Sequence, residues 1–295
     1  MDPNSPLPKL LLSKYSDVKA AYPGEGRRRW NLRVANEFWA LPAEQKAALA
    51  SPSNAQIADR QSLEDAEFVT DSDPLDSISR DAPEIGLVVR TDYSDEAAWT
   101  AFYARLQEGE KEFTSDAPGE RVAQAGPSGG PHEDDAMEED ADDESDEDDE
   151  TTPIFKVVNP SSPDERAILT GISNLTALRL LNDVDLRKAP SRPPGATRVQ
   201  PPNRLADHDG WQEIYTGKNV WIYDAKSNTD QCVRVVSQTS SDTYGTASGD
   251  SWRARVSHIC ELQVNMFTEA LKIDFGGLDR WDYNERQRNM QDAAL

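Results

Sequence analysis

Cysteine is nearly absent from this sequence: there are two, Cys232 and Cys260, in 295 residues. So few thiols exclude a disulfide framework and point to a reducing, intracellular setting. Long apolar runs are missing as well. No stretch approaches the ~18 residues that a membrane-spanning helix needs. The opening MDPNSPLPKLLL has neither a basic leader nor an extended apolar core. Neither a signal peptide nor a membrane partner is therefore expected. Histidine is scarce, with three in the chain. His132 falls in an acidic stretch, which leaves His208 and His258, and without metal-ligand spacing a zinc site is not expected. His258 and Cys260 are two apart and would share one side of a strand. No flanking motif makes them a base and nucleophile, so a core cysteine is the simpler reading. No glycine-rich phosphate loop occurs. These absences leave the expectation of no enzyme, no catalytic residue, no metal and no cofactor.

What the chain has in abundance is acid, and it is unevenly placed. The formal net charge is −23. Residues 1–60 carry 9 basic and 6 acidic side chains, residues 61–152 carry 5 and 30, and residues 153–295 carry 17 and 18. The excess is thus confined to the middle, and the amino-terminal part is mildly basic. From Glu133 to Glu150, 14 of 18 residues are acidic. Self-repulsion and the lack of apolar side chains leave nothing to offset chain entropy, so residues 114–152 are expected to be a disordered acidic insertion. Three readings stay open for it: a solvating linker, a contact for basic partners such as histones, or a shield over a basic module of the same chain. Ser145, inside ESDEDD, suits an acidophilic kinase, and its phosphorylation would deepen the charge. The acidic run lacks the Asp-Gly-Glu spacing of a calcium loop.

Hydrophobic periodicity places the remaining elements. Trp30, Val34 and Phe38 fall at i, i+4 and i+8, one stripe of a helix, and Pro42 is placed to open another. EIGLVVRTD reads as a buried strand, followed by a helix capped by Asp92 or Ser94 with Ala98, Phe102 and Leu106 on one face. PIFKVVNP reads as a strand, and ALRLLNDVDLR as either a strand or a short helix. NVWIYDAKSNTDQCVRVVSQ reads as a hairpin around a Ser-Asn-Thr-Asp turn, RARVSHI as a strand and ELQVNMFTEAL as a short amphipathic helix. The polar end beyond Trp281 is expected to fray. The fold class expected is α/β or α+β: a mixed sheet with flanking helices, a small amino-terminal helical module and the acidic insertion. The boundaries are 1–60 for the helical module, 61–84 for a linker, and 85–113 for the first strand and helix of the α/β domain. The insertion spans 114–152, the rest of the domain 153–284, and the tail 285–295.

Two resemblances follow from particular residues. VKAAYPG (18–24), then Phe38 and ALPAEQKA (40–47), resemble an HMG box over about 40 residues. HMG boxes bind and bend the DNA minor groove, with basic side chains neutralising phosphates. The resemblance implies phosphate contacts from Lys14, Lys19, Arg27, Arg28, Arg29 and Arg33. The alternative is a small helical appendage with a solvated basic face. Arg27–Arg29 also suit a nuclear import patch. VVRTDYSDEAAW (88–99) and RVSHICELQVNMFTEALKIDFGGL (255–278), with the Ile273-Asp274-Phe275 step, resemble an uncharacterised family, domain of unknown function 6924, over about 170 residues. That resemblance implies a fold rather than a reaction. Arg90, Asp92 and Trp99 stand out in it, against the plainer reading of a strand-end salt bridge and a core tryptophan. RKAPSRP (187–193) has the basic-x-x-Pro-x-x-Pro spacing of a polyproline ligand. GDSW (249–252) is similar to a short hydrolase signature, and its late position makes it a coincidence.

Two functions are compatible with these residues. In the first, the chain is a nuclear, chromatin-associated interaction protein whose HMG-like module contacts DNA while the acidic tract meets basic proteins. In the second, it is a cytoplasmic α/β binding protein with no nucleic-acid role, its amino-terminal helices packed on the domain. The second predicts that Trp30 and Phe38 are buried in the sheet domain's core.

Overall fold

The computed structural model describes residues 5–50, 63–76, 85–115, 153–236, 243–271, 273 and 282–293. The strand GLVVR becomes β1 (Gly86–Arg90), buried along its whole length. It is the second strand of a five-stranded mixed sheet, ordered β2-β1-β5-β6-β7. The other strands are β2 (Phe155–Val158), β5 (Val220–Tyr223), β6 (Cys232–Val236) and β7 (Ser251–Arg255). β1 is parallel to β2 and β5, whereas β5–β6 and β6–β7 are antiparallel. A separate hairpin joins β3 (Asp183–Lys188) to β4 (Trp211–Thr216). The architecture is α+β, with helices on both faces of the mixed sheet.

The period of two along the strands divides the core. Val88, Trp221, Tyr223, Val233 and Val235 face one side. There they meet Trp99, Phe102 and Leu106 of α5 (Glu96–Ser115) and Ile259 and Cys260 of α9 (Ile259–Phe267). Leu87, Val89, Val220, Ile222 and Val236 face the other side. That layer holds α1 (Pro6–Ala21), α2 (Arg27–Ala40), α7 (Asn174–Leu181) and the β3–β4 hairpin. Phe38 is fully buried, with its ring 5.5 Å from that of Trp211, and Trp30 is 8% exposed. The Trp39 indole N–H donates to the buried Glu213 carboxylate at 2.9 Å. Glu213 also accepts from the Tyr215 hydroxyl and lies 3.4 Å from Arg179 Nη2. The amino-terminal helices therefore share one continuous core with the sheet.

Pro42 precedes α3 (Ala43–Ala50), as its place in a first turn requires. ALRLLNDVDLR contains both alternatives in sequence, the end of α7 and then β3. Three details differ from the sequence reading. The cap of α5 is Asp95, whose Oδ1 accepts the Ala98 N–H at 2.9 Å. Asp92 instead holds Ser94 in a tight turn just before it. The part of the presumed linker that is described, residues 63–76, is an ordered strap with a one-turn helix, α4 (Glu67–Thr70). Its Phe68 is 4% exposed in the core, and its acidic side chains pair with α2. The polar end expected to fray forms α10 (Tyr283–Asp292). Its Glu285 and Asn289 cap the first turn of α7, so the polarity that suggested fraying is what fixes it there.

Candidate functional site

The cations assigned to phosphate contact are mostly engaged with carboxylates. Arg27 and Arg28 are 8% and 5% exposed. Arg27 reaches Asp76 at 2.9 Å and Asp183 at 3.3 Å, and Arg28 reaches Asp73 at 2.8 Å and Asp76 at 3.2 Å. Gly26 makes this approach feasible, because a Cβ there would overlap Asp73 and Pro74. Burial acts to raise the Asp76 carboxyl, but the Asp73 backbone N–H and the two guanidiniums outweigh it and hold it low. Lys19 lies 2.6 Å from Asp71, and Arg33 grips Glu25 with two bonds of 2.6 and 2.7 Å. Lys14 sits 3.8 Å from Glu37 on the surface. Arg29 is exposed and has no carboxylate partner among the described residues. Lys46, from the HMG-like segment, is 1% exposed, with its ammonium 5.7 Å from the Phe38 and Trp39 rings. Sequence alone does not show that Lys19, Arg27 and Arg28 are paired, since their partners lie at 71–76 and 183.

Arg90, Asp92 and Trp99 do meet, at the carboxyl end of β1. The Arg90 guanidinium is fully buried, 4.8 Å from the Trp99 ring and 4.9 Å from that of Tyr93. It donates to the Asp92 carbonyl at 2.9 Å and to Glu96 at 2.8 Å. Asp92 accepts from Ser94 and Asn228, which hold its carboxyl below the usual range although burial acts to raise it. Trp99 is 4% exposed in the core. This is the strand-end salt bridge with a core tryptophan, closed by its own partners.

Open space lies instead along the free edge of β2. A groove of about 530 Å³ is lined by residues 156–160 of that edge and by Ile168 and Leu169 of α6 (Pro163–Leu169). The carboxyl end of α7 (179–181), residues 24–26 with Arg28 and Arg29, and residues 73–75 of the strap complete the walls. In a parallel pair, alternate residues turn both backbone polar groups toward the neighbour. The Gly86 N–H donates to the Ile154 carbonyl, so Ile154, Lys156 and Val158 face β1, and Phe155 and Val157 face outward. The outward Phe155 N–H is taken by Glu110 at 2.8 Å. Val157 is left to present its N–H and C=O to the groove. Ile168, at its rim, is 58% exposed. Glu25 and Asp73 in the walls are neutralised by Arg33 and Arg28. Arg29 and Glu165 are exposed and carry no partner of opposite charge among the described residues. The sequence signal for this site was PIFKVVNP, a short apolar strand followed by Asn-Pro, but its edge position is not legible in one sequence.

The other candidates are placed plainly. Cys260 is buried on α9 and His258 exposed on the preceding 3₁₀ turn, so they do not share the face of a strand. Burial pushes the Cys260 thiol up to about 12, opposite to what a nucleophile needs. Burial also lowers His208, with Lys46 acting the same way. Arg187 is paired within β3 and bonds Gln212 at 3.2 Å, so the leading base of the proline motif is not free. Asp250 and Ser251 of GDSW are both 1% exposed. Ser145, His132, Asp274 and Phe275 lie outside the described residues. Among the described residues no group of three or more His, Cys, Asp or Glu side chains could hold a metal, and no helix is long and apolar enough to cross a membrane. The chain matches no family model, no curated protein and no solved structure.

Proposed function

We propose that this chain is a protein-binding module that captures an extended segment of a partner by strand addition to β2. The observation that carries this is the open edge of β2 running along an apolar groove, with the Val157 backbone groups unpaired among the described residues. Main-chain hydrogen bonds then supply affinity, and pockets for alternate side chains supply selectivity. The edge is recessed between residues 24–29 and the strap, so a single slender strand fits better than the broad edge of a second sheet. Ile168, Leu169, Leu75 and Leu180 suit apolar side chains, and Arg29 suits a carboxylate on the incoming strand. The reading corresponds to a binding protein without a nucleic-acid role. It is supported by the engagement of Arg27, Arg28, Lys19 and Arg33 with carboxylates. The two family resemblances remain proposals of ancestry beside it.

The test is selection of displayed random octapeptides on the full chain, with Val157→Pro and Ile168→Glu as controls. Proline at 157 removes only an outward N–H, so the sheet is retained. Enriched peptides alternate apolar residues, carry Asp or Glu, and lose binding about tenfold in Val157→Pro, the equivalent of one or two backbone bonds. Peptides that bind both variants as well as the parent refute strand addition. Duplex DNA titrated across salt is the counter-probe, and tight, salt-sensitive binding would favour the chromatin reading.

A further inference from the structure

The second site is at the opposite end of α7 from the groove and shares no lining residue with it. The first turn of a helix leaves backbone N–H groups without intrahelical partners, and these favour anions. In α7 the Thr176 N–H is taken by the Ser173 hydroxyl at 3.1 Å. The next two are satisfied from α10. The Asn174 N–H donates to Glu285 Oε1 at 2.7 Å, and the Leu175 N–H to Asn289 Oδ1 at 2.9 Å. The other Glu285 oxygen lies 2.9 Å from Arg234 Nη1 of β6. Glu285 is 6% exposed, Arg234 5% and Asn289 2%. One carboxylate is thus gripped by a helix amino terminus and a buried guanidinium, as a bound oxyanion would be.

The surroundings have polar capacity left over. Asn174 Oδ1 and Ser251 Oγ are buried and make no hydrogen bond among the described residues, and Arg234 Nε makes none although it lies 3.5 Å from Asp224. Asn174 and Arg234 both touch Glu285 directly, and the Ser251 carbonyl accepts from the Asp282 N–H at 3.5 Å at the start of the same helix. Buried polar groups without partners are expensive, so a cluster of them marks a site fitted for more than the single carboxylate it holds. The helix that delivers Glu285 is pinned largely by polar contacts. Arg286 bonds Asp250 at 2.6 Å and the Gly245 carbonyl at 2.9 Å, Arg288 bonds the Gly171 carbonyl at 2.7 Å, and Asn203 bonds the Met290 carbonyl at 2.8 Å. A polar interface exchanges its partners for water more readily than an apolar one.

We propose that the first turn of α7 and Arg234 form an oxyanion-binding site, for a carboxylate or phosphoryl group, that Glu285 fills as an internal ligand. A ligand bearing such a group competes with α10, and α10 undocks when it binds.

The test uses the full chain, Glu285→Ala, and Glu285→Gln as the isosteric variant that keeps the helix packed. Thermal unfolding is followed in sodium phosphate, sodium acetate and sodium chloride at matched ionic strength. Vacating the site lowers the midpoint, and 50 mM phosphate or acetate restores about 5 °C of it beyond chloride in Glu285→Ala, while the parent hardly moves. Adding Arg234→Met to the alanine variant abolishes the recovery. A response to acetate alone assigns a carboxylate ligand, and a response to phosphate alone a phosphoryl group. If Glu285→Ala does not fold, Glu285→Ser, also too short to reach the α7 N–H groups, is read the same way, and Glu285→Gln, which still fills the site, stands as the unresponsive control. The site is overturned if folded Glu285→Ala or Glu285→Ser responds to neither anion beyond chloride, or if the recovery survives Arg234→Met.

Discussion

The strap at 63–76 and the helix α10 invite comparison. Both are polar and acid-bearing, both read in sequence as connecting or terminal chain, and both insert carboxylates onto buried arginines. They differ in what lies beneath the charges. The strap drives Phe68 into the main core, where its ring meets Tyr15 at 6.1 Å and its carbonyl accepts from Asn31 at 3.1 Å. α10 buries Glu285 and Asn289 along its length, with Ala293 just past its end, and keeps Tyr283 57% exposed. Ion pairs gain Coulomb energy but lose hydration, so by themselves they hold a segment weakly. A large aromatic anchor makes the strap a permanent part of the fold, and α10, with only Met290 and Ala293 against the core, is the more exchangeable one.

The sharpest break of that comparison is at the strap. Phe68→Ala removes about 3–5 kcal/mol by cavity formation, and Asp73→Ala, which takes from the buried Arg28 one carboxylate and leaves it Asp76, removes a smaller ~1–3 kcal/mol. Both are read by chemical denaturation. A loss below about 0.5 kcal/mol for both would mean that the strap is as dispensable as a linker.

A smaller effect separates the two regions by pH. Burial acts to raise Asp71 and Asp76, but hydrogen bonds and nearby cations prevail and hold both below the ordinary carboxylate range. Their contribution is complete above the unfolded value of about 4 and is lost as the pH falls through their lowered values. Asp250, which receives Arg286 of α10, behaves oppositely. Burial outweighs the Arg286 ion pair and raises its carboxyl to about 6. A raised acid binds more protons folded than unfolded, so its contribution falls as the pH rises from about 4 through 6. Hydrogen exchange across that window shows protection of α10 decreasing with rising pH while the strap stays constant. Parallel behaviour of the two regions would remove the distinction. The smallest effect is at the surface: Lys14→Ala, whose pair with Glu37 is exposed on both sides, changes stability by less than about 0.5 kcal/mol.

Much of the fold was legible because it is written in local periodicity. GLVVR, the Phe102–Leu106 pair and the Val220–Val236 hairpin carry their burial in their own spacing, while the first buried residue of that helix stripe is Trp99 rather than Ala98. The strap and α10 were not legible, because their order comes from partners 45 to 115 residues away. Asp73 is an ordinary linker residue until Arg28 is placed opposite it, and Glu285 an ordinary tail residue until α7 begins beside it. The pairing of Lys19, Arg27 and Arg28 was hidden in the same way, since a sequence shows charge but not its counter-charge. The groove is illegible for a related reason: β2 looks like any short strand until the sheet order leaves it at the rim.

That rim position also bears on crowding. A bare strand edge is a template on which further copies can stack into fibrils. Here the edge strand begins three residues after Thr152, close behind the run in which 14 of 18 side chains are carboxylates. Two such runs repel each other when two copies approach edge to edge, whereas a short partner segment with a single Asp or Glu meets far less repulsion on its way to the groove.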